Sequence, residues 1–359
     1  DCNKPKKLRI STMGMIKLPQ QSVSFFEDHY SEIFESGNLA EGKWISQVAT
    51  WATEYTGAPY AHAVNSNGAG IFSILNILGR YFNKRRIFLQ SNTMYGVRTM
   101  SITSGLELCG YIDCDLDYLM PTYDQVVDFV SRLDKPSECV FLLTHIGGWV
   151  NPDIEKIAEF CRDKEIALIE DCAHSLGSTL KGKHTGLFGD AGVYSLYSTK
   201  AVPAGEGGII VTKSEELHQK VTKFSIYDRF DQVLDIGVNN RMSEINALLS
   251  FAVLKSIDEI IENKQKIANE YVKACEKYGW EYIHPTGNDQ RSNLYKFILL
   301  SRAANPNDDF SQIKTRTSPV YDYALGSDPY EVSKRHICLP IWYKLEEDSI
   351  HKVLSELQR

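Results

Sequence analysis

Ala167-Leu168-Ile169-Glu170-Asp171-Cys172-Ala173-His174 and, further along, Val193-Tyr194-Ser195-Leu196-Tyr197-Ser198-Thr199-Lys200 are two short apolar runs that each end in polar chemistry. A strand that is apolar throughout is buried on both faces, the habit of a mainly parallel sheet covered by helices. Ligands of such sheets bind beyond the carboxyl ends of the strands, where Asp171 falls. Lys200 follows its strand and precedes Gly205-Glu206-Gly207-Gly208, whose small residues let backbone approach a bound group closely. A lysine amine can hold an aldehyde cofactor covalently, and a carboxylate at the end of a preceding strand can keep that cofactor's ring nitrogen protonated. Taken together, the two runs point to pyridoxal 5'-phosphate.

Outward from these runs the same alternation continues. Residues 87–90, 140–144 and 209–212 are further β-rich apolar runs, separated by segments of helical period, so the chain is α/β. From Arg241 to Tyr278 the pattern becomes continuously helical, with Ile245, Leu248, Leu249, Ala252, Leu254, Ile257, Ile260 and Ile261 on one stripe. This predicts one long helix leading out of a large cofactor-binding domain (residues 1–250) into a small C-terminal domain (251–359). The second domain is expected to hold a strand over 294–300 and a final helix from about 346 to 357.

Composition narrows the class. A chain of 359 residues, 43% hydrophobic and 24% charged, has room for a large core and a buried cofactor. No run approaches the roughly 18 apolar residues of a membrane helix, and Asp1-Cys2-Asn3-Lys4-Pro5-Lys6-Lys7 lacks the apolar stretch of a signal peptide, so a cytoplasmic protein is expected. The net charge of -7 argues against nucleic acid as a partner. Eight cysteines without a CxxC pair suggest free thiols, and no metal is expected.

For Lys200 to act, its amine must be neutral for part of the cycle, which burial and neighbouring cations favour. Asp171 is the candidate partner of the ring nitrogen, although a short acid there also serves as a helix N-cap. His174 is placed to contact the ring or its phenolic oxygen. Asn65-Ser66-Asn67-Gly68-Ala69-Gly70, followed by the apolar Ile71-Phe72-Ser73-Ile74-Leu75, offers backbone N–H groups at a helix start for a phosphate, with Ser195 adding a hydroxyl. Tyr95 in Asn92-Thr93-Met94-Tyr95 either lies against the ring face or packs in a loop. Trp44, Trp149, Arg229 and Arg316 are candidate substrate contacts, or else packing and solvated surface.

With these residues in place, the chain resembles the DegT/DnrJ/EryC1/StrS sugar aminotransferases of the fold type I pyridoxal phosphate enzymes. The likeness runs from about Ser36 to the C-terminus. It is carried by Ser36-Gly37-Asn38-Leu39-Ala40-Glu41-Gly42, by Ser66-Asn67-Gly68-Ala69, by His145 and Gly148, by residues 170–177 and 195–208, by Gly237-Val238-Asn239-Asn240-Arg241-Met242-Ser243-Glu244-Ile245, and by His336-Ile337-Cys338-Leu339-Pro340. The resemblance implies a large domain with a mainly parallel seven-stranded sheet flanked by helices, plus a small C-terminal α+β domain. It also implies that Lys200 carries the cofactor and shuttles a proton, that Asp171 holds the pyridinium, and that His174 replaces a commoner Gln. Ser195, Ser66, Gly68 and Ala69 would hold phosphate, and Asn239 would reach the phosphate of a neighbouring subunit, making a homodimer with shared sites. L-Glutamate would give its amino group, through pyridoxamine 5'-phosphate, to a keto group on a nucleotide-linked sugar.

The chain also departs from the family pattern. Ala69 stands where Thr is usual, Gly147 where an aromatic is common, and Ala201 where Asn follows the lysine; Thr315-Arg316-Thr317-Ser318-Pro319-Val320-Tyr321 replaces a region that typically holds a His-Tyr pair. Relatives that dehydrate sugars carry His at the lysine position, so Lys200 favours transamination over a dehydratase or lyase. A non-catalytic paralogue conflicts with the intact Asp171, Ser195 and Lys200 set, and no GxGxxG follows the first strong strand to suggest a nicotinamide enzyme.

Overall fold

The computed structural model describes residues 16–283, 289–320 and 334–358. Its centre is a seven-stranded sheet of β1 (Tyr60–Val64), β2 (Arg86–Gln90), β3 (Glu107–Ile112), β4 (Cys139–Thr144), β5 (Ala167–Cys172), β8 (Ala191–Ser195) and β9 (Gly208–Thr212). The spatial order is β1-β9-β8-β5-β4-β2-β3, and β9 alone runs antiparallel to both its neighbours. Every residue of β4, β5, β8 and β9 is buried, as their apolar sequences require.

Helices α3 (Asn67–Tyr81), α4 (Tyr95–Thr103), α5 (Tyr123–Ser131), α6 (Ile154–Asp163) and α7 (Glu215–Phe224) flank the sheet. Close seating of α3 depends on Gly70, where a Cβ would come within 2.6 Å of Val193 on β8. Ahead of the sheet, α1 (Gln20–Ser36) and α2 (Lys43–Thr56) pack on α8 (Glu244–Leu254). Glu244, at the start of α8 and 2% exposed, caps α2 by accepting from the Trp44 and Ile45 N–H groups at 3.0 and 3.1 Å. Two of the sequence motifs therefore meet here, because Gly42 makes room for that carboxylate and Ala40 pairs with Ser243.

The single helix expected over 241–278 is two helices. It breaks at Lys255 and Ser256, and α9 (Ile257–Tyr278) then runs on alone. The buried Ser256 hydroxyl pairs with Ser22 of α1 at 2.8 Å, holding the break against the first helix. α9 leads to a small antiparallel sheet, β10 (Glu281–Tyr282), β12 (Phe297–Leu300) and β13 (His336–Leu339), backed by α11 (Glu347–Glu356), with α10 (Pro306–Phe310) between β12 and β13. Tyr271, Trp280, Phe297, Leu299 and Leu339 form its core. A third sheet, β11 (Gln290–Arg291) with β6 (Thr179–Leu180) and β7 (Lys183–His184), pins this region to the large one.

The strand expected over 294–300 is shorter, because residues 293–296 turn instead. Leu294 adopts a left-handed φ of 52°, and the Asn293 amide donates to the carbonyls of His174 (2.8 Å) and Leu176 (2.9 Å). That turn carries Tyr295 and Lys296 to the ends of the large sheet's strands. Among the described residues, no helix is long and apolar enough to cross a membrane.

Candidate active site

Beyond the carboxyl ends of β5 and β8 lies a cavity of about 390 Å³ whose lining includes Asp171, His174, Ser195, Lys200, Met94 and Tyr295. Asp171 is 1% exposed. Its Oδ1 accepts from the Asn67 amide and the Ala173 N–H, each at 3.1 Å, and its Oδ2 accepts from the Thr144 hydroxyl at a long 3.4 Å. Burial pushes this carboxyl above its ordinary range, opposed first by those Ala173 and Asn67 hydrogen bonds and then by the charge of Lys200. A cation placed against Oδ2 would favour the ionised form, and a protonated pyridine nitrogen is such a cation.

Lys200 stands opposite. Burial lowers its pKa to about 8, while the charges of Asp171 and Tyr197 resist. A substantial share of the amine is therefore neutral near physiological pH, the form needed to attack an aldehyde. Nζ lies 4.8 Å from the ring centroid of Tyr295. His174 stacks on that same ring at 4.3 Å. Its Nδ1 accepts from the Gly147 N–H at 3.3 Å, which puts the proton of the neutral ring on Nε2. Burial, then the charges of Lys200 and Lys296, hold its pKa well below the usual histidine value.

At the phosphate end, Ser66 caps α3 by accepting from the Ala69 N–H at 3.1 Å, and Gly68 lines the cavity in the first turn. The Ser195 hydroxyl accepts from the Tyr197 N–H at 3.3 Å and keeps its own proton to donate. Asn240 braces this turn from behind, donating to Ala69 O (3.3 Å) and Ser73 Oγ (3.0 Å) while its carbonyl receives the Asn65 N–H. In the sequence Asn240 stands out only as a member of its motif.

Beneath the cavity, Glu170 accepts from the Gly186, Phe188 and Gly189 N–H groups at 2.7–2.8 Å and from His145 Nε2 at 2.8 Å. The His145, Glu170 and Cys172 ligand atoms lie within 4.8 Å of one another, as in a metal site. Each Glu170 oxygen already has two donors, and His145 Nδ1 accepts from the Asn151 N–H. The cluster is therefore a lock that fixes β5 and the loop beside it.

The remaining candidates from the sequence are distributed between the cavity, the core and the surface. The Asn67 side-chain amide serves Asp171 and Val193 O (2.8 Å) where it lines the cavity, and the Ala69 N–H is taken by Ser66. Tyr95 turns outward at 54% exposure beside Arg98, and Met94 faces the cavity in its place. Trp44 is core, 5% exposed and packed on Phe25, His29 and Phe251. Trp149 is equally buried, in the core of the small sheet. Arg229 pairs with Glu41 on the surface. Arg316 is exposed, and its segment lines the cavity through Ser318, Pro319 and Val320 instead. Asn239 is exposed on the loop joined to Ile226, away from this chain's own cavity lining. Tyr321 falls outside the described residues.

A lysine amine facing a buried carboxylate whose second oxygen is barely engaged, with hydroxyls and a helix start to one side, fits pyridoxal phosphate. On an open sheet bound at its strand ends, that set defines a fold type I pyridoxal phosphate-dependent transferase. The chain belongs to the DegT/DnrJ/EryC1/StrS aminotransferase family, which it matches over residues 21–358. It is 25% identical to GDP-perosamine synthase of Escherichia coli O157:H7, across 89% of each chain. It is 26% identical to the spore coat polysaccharide biosynthesis protein SpsC of Bacillus subtilis (strain 168), across 91% of this chain and 92% of that one. Among solved structures, the aminotransferase TlmJ from Streptoalloteichus hindustanus superposes with a TM-score of 0.82 at 21% identity, covering 96% of this chain and 97% of that one.

Proposed function

We propose that this aminotransferase takes the amino group of L-glutamate and delivers it to the keto carbon of a nucleotide-linked sugar, in amino-sugar biosynthesis. The observation that carries the reading is the buried amine of Lys200, its pKa lowered to about 8, in one cavity with the buried carboxylate of Asp171. When bound, pyridoxal phosphate supplies the electron sink that lets a proton leave the carbon bearing the amine. The chain's own residues then have distinct tasks. Asp171 would hold the ring nitrogen charged, Ser66, Gly68 and Ser195 would bind the phosphate, neutral His174 would orient the ring, and Lys200 would move the proton. The nucleotide-linked acceptor follows the name of the GDP-perosamine synthase relative.

We place the enzyme in the cytoplasm as a homodimer. Seven described cysteines are free thiols, which suits a reducing compartment. Tyr227, Phe230 and Val233 are 56%, 73% and 65% exposed on the loop that Asn239 closes, and a cluster of that kind suits a covered face. The test is the visible spectrum of the protein with pyridoxal phosphate, before and after L-glutamate. Loss of the lysine-linked band with gain of the aminated cofactor's shorter-wavelength band is expected; a band that glutamate leaves untouched would overturn the donor.

A further inference from the structure

A second lysine shares the cavity with Lys200 and has no role in the chemistry above. Lys296 sits on the turn before β12, its N–H bound to Gly147 O at 3.0 Å. Its Nζ lies 5.4 Å from the Tyr295 ring centroid, the ring that has Lys200 Nζ at 4.8 Å and His174 stacked on it. It donates to Thr317 Oγ1 (3.2 Å), Ser318 Oγ (3.2 Å) and Ser318 O (3.0 Å). Among the described residues, no carboxylate pairs with it. Neutral oxygens satisfy an ammonium's donors yet leave its charge uncompensated, and each hydroxyl that accepts from it keeps a proton for a further acceptor.

The surrounding charges point the same way. Lys264, 3% exposed on α9 among Ile260, Ile261 and Ile267, is lowered to about 7 by burial and then by the charge of Lys296. The carboxylate of Asp171 is engaged by Asn67, Ala173 and Thr144 at the cavity's other end. Glu206, the other acid of the lining, is exposed. Among the described residues, the charge of Lys296 therefore meets no carboxylate partner in the cavity.

We propose that Lys296, with the hydroxyls of Thr317 and Ser318, is the subsite for a carboxylate of the amino donor and sets the preference for an acidic amino acid. The proposal rests on the aminotransferase reading. A donor amino acid is the better occupant because its carboxylates lie within a few bonds of the reacting carbon, and Lys296 shares an aromatic neighbour with the reacting amine. The diphosphate of a nucleotide-linked sugar is held away from its keto carbon by the sugar ring.

Lys296→Met keeps an unbranched chain of similar length and removes the charge. In rapid mixing of cofactor-loaded protein with L-glutamate, the half-saturating concentration is expected to rise by about 10- to 100-fold, the weight of a charge-assisted hydrogen bond, with the limiting rate within about threefold. Lys296→Arg is expected to recover part of the loss. Glutarate, a dicarboxylate with no amine to give, is expected to bind the variant more weakly by a similar factor in calorimetry. Equal saturation by glutamate and equal glutarate affinity, in variants that still show the lysine-linked band, would remove the subsite and leave the function standing. A wild-type band indifferent to glutamate would remove the function, while the glutarate titration would still decide the subsite. Should Lys296→Met not fold, Thr317→Val with Ser318→Ala retains the lysine and is expected to weaken glutarate severalfold; no change would overturn the proposal.

Discussion

The two walls of the cavity are built on opposite plans. On the sheet side, Asp171, Asn67 and Ser195 stand at strand ends or on the first turn of α3, and the first two are held by partners at the strand ends: Asn67 by Val193 O, Asp171 by Asn67, Ala173 and Thr144. On the other wall, Tyr295, Lys296, Ser318 and Val320 come from a turn and an irregular segment joined to a small sheet. The difference separates tasks. A cofactor common to many enzymes needs a rigid, repeated frame, whereas the wall that meets a particular substrate can change with few consequences for the sheet.

If the sheet-side wall carries the shared chemistry, its largest lever is Lys200. Lys200→Ala is expected to abolish the lysine-linked absorption band and slow the donor half-reaction by about 10³-fold or more, the scale of a lost nucleophile and proton carrier. The wild-type protein adds a finer check. Because Lys200 is lowered to about 8, its neutral form grows as pH rises through that value, so capture of pyridoxal phosphate by the cofactor-free protein should accelerate with pH and level off above it. A rise continuing to about 10.4, the ordinary lysine value, would show an amine that the cavity does not perturb.

Asn67 should come next. Asn67→Ala strips Asp171 of its amide donor and leaves Oδ1 with Ala173 alone, at a cost of about 1–3 kcal/mol for a buried acceptor left short. Titration of the variant should show pyridoxal phosphate held about tenfold less tightly, with the thermal midpoint lowered. An unchanged affinity would mean that Ala173 and Thr144 suffice, and that the sheet wall is less finely determined than its hydrogen bonds imply.

The same contrast governs what the sequence could reveal. Asp171, Ser195 and Lys200 were legible as candidates because strand ends and the glycine turn behind them constrain residue type strongly, and five of the seven strands showed as apolar runs, while the count of seven came with the family resemblance. Tyr295 and Lys296 were not, because the mostly apolar run over 294–300 reads as one strand, whereas Leu294 takes a positive φ and Asn293 bonds to His174 and Leu176. The break at Ser256 was hidden likewise: an apolar stripe of helical period continues through it, and its hydroxyl partner Ser22 lies far away in sequence. Trp44 and Trp149 stayed open between site and packing for the opposite reason, since an isolated Trp carries no signal that separates core from site.

The smallest expected effect falls where the walls meet. Met94 ends the loop before α4 with its side chain toward the cavity, whereas Tyr95, one residue on, points to solvent beside Arg98. A thioether against an aromatic ring contributes about 0.3–1.5 kcal/mol, so Met94→Ala should weaken retention of pyridoxal phosphate by up to about tenfold, read from its dissociation constant rather than from turnover. Tyr95→Ala should leave that constant within about twofold, since an exposed side chain outside this chain's cavity lining has little to lose. If Tyr95→Ala cost more than Met94→Ala, the tyrosine would have to reach the ring of another subunit, and the cavity's third wall would belong to a partner.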